Sequence, residues 1–367
     1  MKGFLHSLLL GFLLVATTGY SQAGYYQFSA GTGTLEIQPG SGVTTLVGAA
    51  SADGVSALNN IGFNVKYAGT VYTQLSASAN GLMRLGSPAV TTENVNNFTS
   101  GTNVPKLMAF WDNMATGTNA SGAGVRTWTV GTTPNRKKVV DYKLASNNVT
   151  TSPWDMQFQV WIYETTGVIE FVYGTGPASG MTASVGLGGK VATDFLSVTP
   201  TGPTVSNVTA NNAVAANPGS GEKYTFPPTP LTGTKTVGAG MDFPTLKAAV
   251  DALNFLGVGA GGVTFNIVGG HVETVPAGVG ATPAGLCITA SGTAANPIVF
   301  QWNGVGAKPI FKAAIGVGNF DFVIGLCGVG YVTLDGLDIQ EDNVVNTTNA
   351  RRAEIGIGLF KQRYNTS

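Results

Sequence analysis

The sequence has few charged residues, few cysteines and almost no histidine. Only 10% of its 367 residues are charged, and the 19 basic residues equal the 19 acidic ones. This balance gives no strong electric field that would favour nucleic acid or an acidic membrane surface as a partner. After the first 23 residues His271 is the only histidine, and with two cysteines it does not make an ordinary zinc site.

Long apolar runs and nucleophile motifs are also missing. After the first residues, no segment is long and apolar enough to span a bilayer as a helix. No serine or cysteine stands in a Gly-x-Ser-x-Gly turn, so a catalytic triad is unsupported. Instead the chain contains 52 glycines and is rich in Thr, Ser and Asn, a composition that favours an extracellular all-β protein.

The first 23 residues are typical of a secretory signal peptide. Lys2 provides the positive charge, Leu8–Ala16 is a short apolar run, and Ser21-Gln22-Ala23 has small residues at a cleavage site. The alternative is a membrane anchor, but the apolar run is too short to span a bilayer. We predict cleavage after Ala23 and a secreted or cell-surface location.

Residues 24–226 have the pattern of an antiparallel β-sandwich, with short strands separated by turns. Three hairpins are predicted, formed by Ile61–Tyr67 with Val71–Leu75, by the turn Asn80-Gly81 before Leu82–Leu85, and by Met156–Tyr163 with Val168–Tyr173. Residues 227–235, rich in Pro, Thr and Gly, cannot continue a sheet and are predicted to be a linker.

Residues 236–367 have the pattern of a parallel solenoid. Val263–Ile267, Ile298–Trp302 and Tyr331–Ile339 are apolar runs spaced by about one coil. Such coils bury their apolar faces only by stacking, so we predict the first coils of a parallel β-helix. Its pattern is still under way at Ser367, which predicts an unfinished last coil and end-to-end self-association.

One helix is predicted just before the first coil. Asp242 can cap it and Pro244 fits its first turn. Its buried face would contain Leu246, Ala249, Val250 and Leu253. A helix at this place would cover the open end of the solenoid, while the alternative is an ordinary surface helix.

The two cysteines lie in a repeated tripeptide. Gly285-Leu286-Cys287 recurs as Gly325-Leu326-Cys327. If these are equivalent positions of adjacent coils, the cysteines would lie about 4.8 Å apart, the strand spacing, which permits a disulfide. Two buried thiols stacked in the core are the equally supported alternative.

Two parts of the chain resemble large secreted bacterial proteins. Ile61–Val65, Ser78–Gly81, Leu85-Gly86 and Ala109–Asp112 resemble their N-terminal β-sandwich. The segments Phe243–Asn254, Gly262–Ile267 and Tyr331–Gly336 are similar to the start of a right-handed parallel β-helix of the pectin-lyase type. The resemblance implies a surface-exposed or secreted protein, often with a C-terminal sorting domain for type IX secretion, which this sequence lacks. The pectin-lyase-like fold hosts lyases, hydrolases and non-catalytic adhesins alike.

The one acidic concentration lies near the end of the chain. Asp335, Asp338 and Arg351 are candidate catalytic residues, because paired carboxylates suit glycoside hydrolysis and carboxylates with a cation and an arginine suit β-elimination. On one straight strand, however, Asp335 and Asp338 would face opposite sides unless the coil bends at Gly336. The favoured alternative is an Asp that bonds its own turn. We predict no metal site and no cofactor, and no motif supports calcium, the one cation considered.

The sandwich contains candidate ligand-binding residues. Trp111, Asp112 and Trp154 lie next to polar loops, and exposed aromatic rings beside carboxylates can stack and bond sugars. Burial of these tryptophans in the sandwich core is the favoured alternative.

Three functions remain open. The first is a non-enzymatic surface or adhesive protein that binds an extracellular polysaccharide or another cell-surface ligand. The second is a polysaccharide lyase or glycoside hydrolase with catalytic coils near or beyond the end of the sequence. The third is a fragment that only starts the folding of a longer solenoid.

Overall fold

The computed structural model describes residues 23–277, 284–316, 320–342 and 344–360. The predicted signal peptide, apart from Ala23, lies outside these residues. Within them the chain is all-β, with 24 strands and one α-helix. Short 3₁₀ turns occur at Ala23–Tyr25, Asn119–Ser121 and Asn349–Arg351.

Two antiparallel sheets of seven strands each share one core in the first part of the chain. The first sheet has the spatial order β1 (Ser29–Thr32), β14 (Glu222–Phe226), β10 (Ile169–Tyr173), β9 (Met156–Tyr163), β8 (Lys137–Leu144), β7 (Gly124–Val130) and β2 (Thr44–Val47). The second has the order β13 (Thr204–Ser206), β12 (Phe195–Thr199), β11 (Ser184–Gly188), β6 (Lys106–Trp111), β5 (Leu82–Leu85), β4 (Thr70–Ala77) and β3 (Asn59–Tyr67). This is the predicted antiparallel, sandwich-like architecture.

Alternating burial along a strand shows which of its faces lies on the core. In β3, Ile61, Phe63, Val65 and Tyr67 are buried while the residues between them are exposed, as expected for a strand with one face on a core. All three predicted hairpins are confirmed, since β3 pairs with β4, β4 with β5, and β9 with β10. Gly81 is required in its turn, because a Cβ there would lie 2.0 Å from the Phe110 carbonyl oxygen.

Both sheets are also covered on their outer faces. Between β5 and β6 the chain passes over the second sheet, where Val90 and Phe98 pack with Trp111. On the first sheet, Leu35 and Val43 pack against a cluster around Trp128. Central strands are therefore buried on both sides, which explains the fully buried pattern of β6, β10 and β11.

Three short parallel sheets form the second part of the chain. The first contains β15 (Leu231–Val237), β16 (Val258–Ile267), β19 (Ile298–Trp302) and β22 (Val332–Asp335). The second contains β17 (Val272–Thr274), β20 (Ile310–Ala313) and β23 (Asp338–Glu341), and the third contains β18 (Leu286–Ile288), β21 (Phe322–Cys327) and β24 (Ile355–Phe360). These sheets share a core of their own, which we call the second core. Phe265 and Phe300 stack within it, with their ring centroids 4.7 Å apart.

The last predicted run divides into two strands. Tyr331–Ile339 was expected to be continuous, but β22 ends at Asp335 and β23 begins at Asp338, in a different sheet. Gly336 lies between them with φ +67°, a backbone conformation that glycine adopts without a Cβ clash. A bend at this glycine therefore overrides the apolar pattern of the run.

Helix α1 (Leu246–Leu256) buries the predicted apolar face, with Leu246, Ala249, Val250 and Leu253 in the second core. The predicted cap is wrong, because the side chain of Thr245 accepts the amide of Ala248 at 3.1 Å. Asp242 lies outside the helix and bonds Thr236 instead.

A buried carboxylate from β17 completes the helix N-terminus. Glu273 accepts the amides of Leu246 at 2.5 Å and Lys247 at 3.0 Å. A helix N-terminus has unpaired amides and a positive dipole end, and both favour an anionic partner. His271 also contacts this carboxylate, at 3.1 Å.

The two parts of the chain meet near the proposed linker. Leu231–Val237, which includes the second half of that linker, forms strand β15 and pairs with β16. Phe255 of α1 is half-buried and packs against both cores. The amide of Thr229 donates to the Tyr25 carbonyl, so the first and last strands of the sandwich lie close to this junction.

Candidate functional site

The outward face of the first parallel sheet has two rows of mostly polar side chains. Alternation along the strands turns Val263, Phe265 and Phe300 into the core and the residues between them outward. The rows, which we call the polar face, are Thr234, Thr264, Val299 and Thr333, and Thr236, Asn266, Gln301 and Asp335. Strand register aligns each row, so its members repeat at roughly 4.8 Å.

Hydrogen bonds order part of this face. The Gln301 amide donates to Asn266 Oδ1 at 2.8 Å. At the other end of the row, the Thr236 hydroxyl lies 3.0 Å from Asp242 Oδ2. The remaining hydroxyl and amide groups face solvent at fixed spacing, an arrangement that can bond a hydroxyl-rich polymer lying across the strands.

Sequence reasoning missed Asn266 and Gln301. Alternation within the predicted strands places both side chains on the outward face. That the two amides lie beside each other follows from the strand register, which the sequence alone does not give. Trp302 follows Gln301 and is half-buried, with its indole nitrogen donating to the Val305 carbonyl at 3.2 Å.

The candidate catalytic residues do not form one carboxylate pair on one strand. Asp335 ends β22 and is part of the polar face, whereas Asp338 begins β23 in another sheet and accepts the Gln340 amide at 2.9 Å. Arg351 is exposed in a 3₁₀ turn. Among the ion pairs of the described residues, none includes Asp335, Asp338 or Arg351.

Trp111 is buried, as the favoured alternative predicted, so its interpretation as an exposed sugar-stacking residue is wrong. Its side chain is 0% exposed and packs with Leu82 and Phe98 under the loop that precedes β6. The indole nitrogen donates to the Glu93 carbonyl at 3.0 Å, which satisfies its polar atom as burial requires.

Asp112 and Trp154 also have structural contacts. Asp112 is buried and accepts the Thr182 amide at 2.7 Å and the Asn113 amide at 2.8 Å. It therefore holds two loops together and is not open to a ligand. Trp154 is half-buried, with the Lys143 ammonium 5.3 Å from its ring centroid, so its ring is the one of the three candidate groups with an accessible part.

Cys287 and Cys327 form a disulfide with a Cα–Cα distance of 6.0 Å. The two cysteines do not lie opposite each other in the parallel register, however. Cys287 lies opposite Gly325 in the parallel register, and Cys327 lies opposite Phe360 of the following strand. The repeated tripeptide is thus shifted by two residues, and the disulfide joins neighbouring strands diagonally.

Buried carboxylates in the sandwich are engaged in polar networks. Asp141 accepts the amides of Gln157 at 2.9 Å and Gln159 at 3.0 Å on the outer face of the first sheet. Burial raises the pKa of Asp141, and these amide donors oppose the shift. Trp161 donates to Gln159 at 2.8 Å, which ties the carboxylate to the aromatic side chains around it. This network links β8 to β9 on the outer face of the sheet.

The described residues contain neither a metal-binding cluster nor a membrane-spanning helix. No group of three or more His, Cys, Asp or Glu side chains that could hold a metal ion was found in the described part of the chain. Over the same residues, no helix has the length and apolar character needed to cross a membrane.

Comparison with known proteins identifies the sandwich. A family model described as NIDO related matches residues 25–228, which is more than half of the chain. No curated protein and no solved structure matches the sequence. The match covers β1 to β14 and ends where the parallel part begins. The chain therefore belongs to the NIDO-related family.

Proposed function

We propose that the protein is an extracellular structural or adhesive protein that binds neutral glycans along its polar face without cutting them. Membership of the NIDO-related family indicates an extracellular domain of the adhesive or structural type. Glycan binding is the finer step, and it rests on one observation: two aligned rows of hydroxyl and amide groups on a parallel sheet.

The chemistry of the rows favours a neutral ligand. Thr234, Thr264 and Thr333 offer hydroxyls that can both donate and accept, and Asn266 and Gln301 offer amides. These groups match sugar hydroxyls, while the overall balance of 19 basic and 19 acidic residues gives no general attraction for a charged polymer. A polymer that contacts several strands gains many weak bonds at once, so affinity grows with its length.

Binding to an array of neutral and acidic polysaccharides tests this function. We expect the wild-type chain to bind neutral polymers and Gln301→Ala to weaken that binding by about fivefold, since each lost hydrogen bond costs about 1 kcal/mol. Gln74→Ala is the matched control, because Gln74 donates its amide to Asn60 on the sandwich at 3.4 Å, away from the polar face. The control should bind like the wild type.

Product analysis in the same assay separates binding from catalysis. Intact polysaccharide is expected after incubation. Shortened or unsaturated products would instead favour the lyase or glycoside hydrolase alternative and make Asp335, Asp338 and Arg351 the residues to replace. Equal binding by the wild type and the Gln301→Ala variant would contradict a role for the polar face.

We also propose that the parallel sheets are the first coils of a right-handed β-helix of the pectin-lyase type, covered at one end by α1. Support comes from Val263, Ile298 and Val332, which align in parallel register about one coil apart, and from the helix face in the same core. A boundary within 227–235 separates this region (236–367) from the sandwich (24–226).

Size-exclusion chromatography at rising concentration tests whether the last coil is open and pairs end to end with a second copy. We expect dimers, and a strictly monomeric chain would contradict an unfinished solenoid.

Export through a signal peptide, followed by type IX secretion, is part of the same proposal. It rests on the composition of residues 1–23 and on the resemblance to large secreted bacterial proteins. N-terminal sequencing of the exported chain should begin at Gly24. A start at Ala23 or earlier would contradict cleavage after Ala23, and it would fit the contacts of that residue, which is buried and donates its amide to Asp194 at 2.7 Å.

A further inference from the structure

A lysine, a carboxylate and a carboxamide meet beneath the loop that precedes β6. Lys106 Nζ lies 3.3 and 3.4 Å from the two carboxylate oxygens of Glu93. Asn103 Nδ2 donates to one of these oxygens, Oε2, at 2.9 Å. The amine and the amide thus share one carboxylate oxygen.

Burial sets this cluster apart from a surface ion pair. The side chain of Lys106 is 1% exposed and that of Glu93 is 11% exposed. Lys106 Nζ also lies 4.6 Å from the centroid of the Trp111 ring. Burial lowers the pKa of Lys106, while the Glu93 carboxylate opposes the shift. The uncharged amine of Lys106 therefore forms more easily than it would in water.

The carbonyl of Asn103 is held by two donors. Its Oδ1 accepts the Thr91 amide at 2.8 Å and the Thr91 hydroxyl at 3.1 Å. Its Nδ2 donates to the Thr91 carbonyl at 3.0 Å besides the contact with Glu93. Two donors aimed at one carbonyl oxygen can stabilise negative charge that develops there, as in an oxyanion hole.

We propose that Lys106 and Asn103 form an intramolecular isopeptide bond, with Glu93 as the proton carrier. The Lys106 ammonium gives a proton to the Glu93 carboxylate, and the freed Nζ lone pair attacks Cγ of Asn103. A Nζ–Cγ bond forms, and the negative charge collects on Oδ1 between the two Thr91 donors. Ser100 also donates to the Glu93 carboxylate and keeps it in position.

Collapse of this intermediate breaks the Cγ–Nδ2 bond. Glu93 hands its proton to Nδ2, and a second proton follows from Nζ by the same route. The nitrogen of Asn103 leaves as ammonium, the positive charge of Lys106 leaves with it, and Glu93 is again a carboxylate. The reaction needs no oxidant and no other reactant, since the carboxamide supplies its own leaving group.

Peptide mass spectrometry of the exported, full-length chain tests the bond directly. Between Arg84 and Arg126, Lys106 is the only site that trypsin can cut. After denaturation and digestion, we expect one peptide of residues 85–126 that is lighter than its sequence by one ammonia. Separate peptides 85–106 and 107–126 with their full sequence masses would overturn the proposal.

Two variants and one internal control sharpen the result. Glu93→Gln keeps the size of the side chain but cannot accept the proton, and Asn103→Ala removes the attacked carbon, so both should give the two separate peptides. An unlinked result for the wild type refutes the bond even if a variant fails to fold. Ring closure at Asn80-Gly81 also releases ammonia, but it would appear in the peptide 67–84. A peptide that lacks ammonia yet is cut after Lys106 would also contradict the bond.

Discussion

Replacing Trp111 with alanine is expected to lower the free energy of unfolding of the sandwich by about 3–5 kcal/mol. The side chain is 0% exposed, and its indole nitrogen bonds the Glu93 carbonyl at 3.0 Å. The variant would lose apolar contacts with Leu82 and Phe98, leave a cavity and leave the Glu93 carbonyl without its donor. Urea denaturation followed by circular dichroism measures this change.

Trp154→Ala is the matched control for that experiment. Trp154 is half-buried, so its loss should cost about 1 kcal/mol or less. If Trp111→Ala instead kept the wild-type stability and lost glycan binding, Trp111 would be a ligand-binding residue after all, and the burial argument would fail.

Loss of the Cys287–Cys327 disulfide is expected to destabilise the parallel part of the chain by about 3–4 kcal/mol, the value for a closed loop of this length. The two cysteines are 40 residues apart in sequence. Opening the bond gives the unfolded chain more freedom, so the unfolded state gains entropy while the folded contacts remain. Denaturation of the Cys287→Ser, Cys327→Ser double variant against the wild type measures the difference.

The same comparison can contradict the disulfide itself. A thiol assay on the denatured, unreduced wild type should find no free cysteine. Two titratable thiols would restore the alternative of stacked, unpaired cysteines. If the disulfide is present, the wild type after reduction should be as stable as the double variant. This comparison separates the effect of the bond from that of the serine side chains.

The sandwich could be predicted largely from the sequence because its signals are local. Alternation in β3 and the turn at Asn80-Gly81 each involve neighbouring residues, and both appear in the structure where they were expected. The helix was also predictable from its apolar face, although its cap was not. Thr245 and Asp242 are both good capping residues, and the bond of Asp242 to Thr236 of β15 decides between them.

The candidate site was less predictable because its signals depend on register. Gln301 and Asn266 are 35 residues apart, and only the pairing of β16 with β19 brings their amides together. Similarly, the repeated Gly-Leu-Cys tripeptide suggested that Cys287 and Cys327 lie opposite each other on neighbouring strands. In the structure Cys287 lies opposite Gly325, two residues before Cys327. Burial of Trp111 was favoured from the sequence, but its place under the covering loop was not predictable, since that loop has no periodic pattern.

The carboxylate of Glu273 has a consequence for the order in which the chain folds as it is synthesised. It bonds the first amides of α1 from a position 27 residues further along the chain. A chain that emerges from its N-terminus first therefore presents the helix before the group that anchors it. The helix and the strand after it should lock together in one step, and a chain stopped before residue 273 should leave the helix undocked.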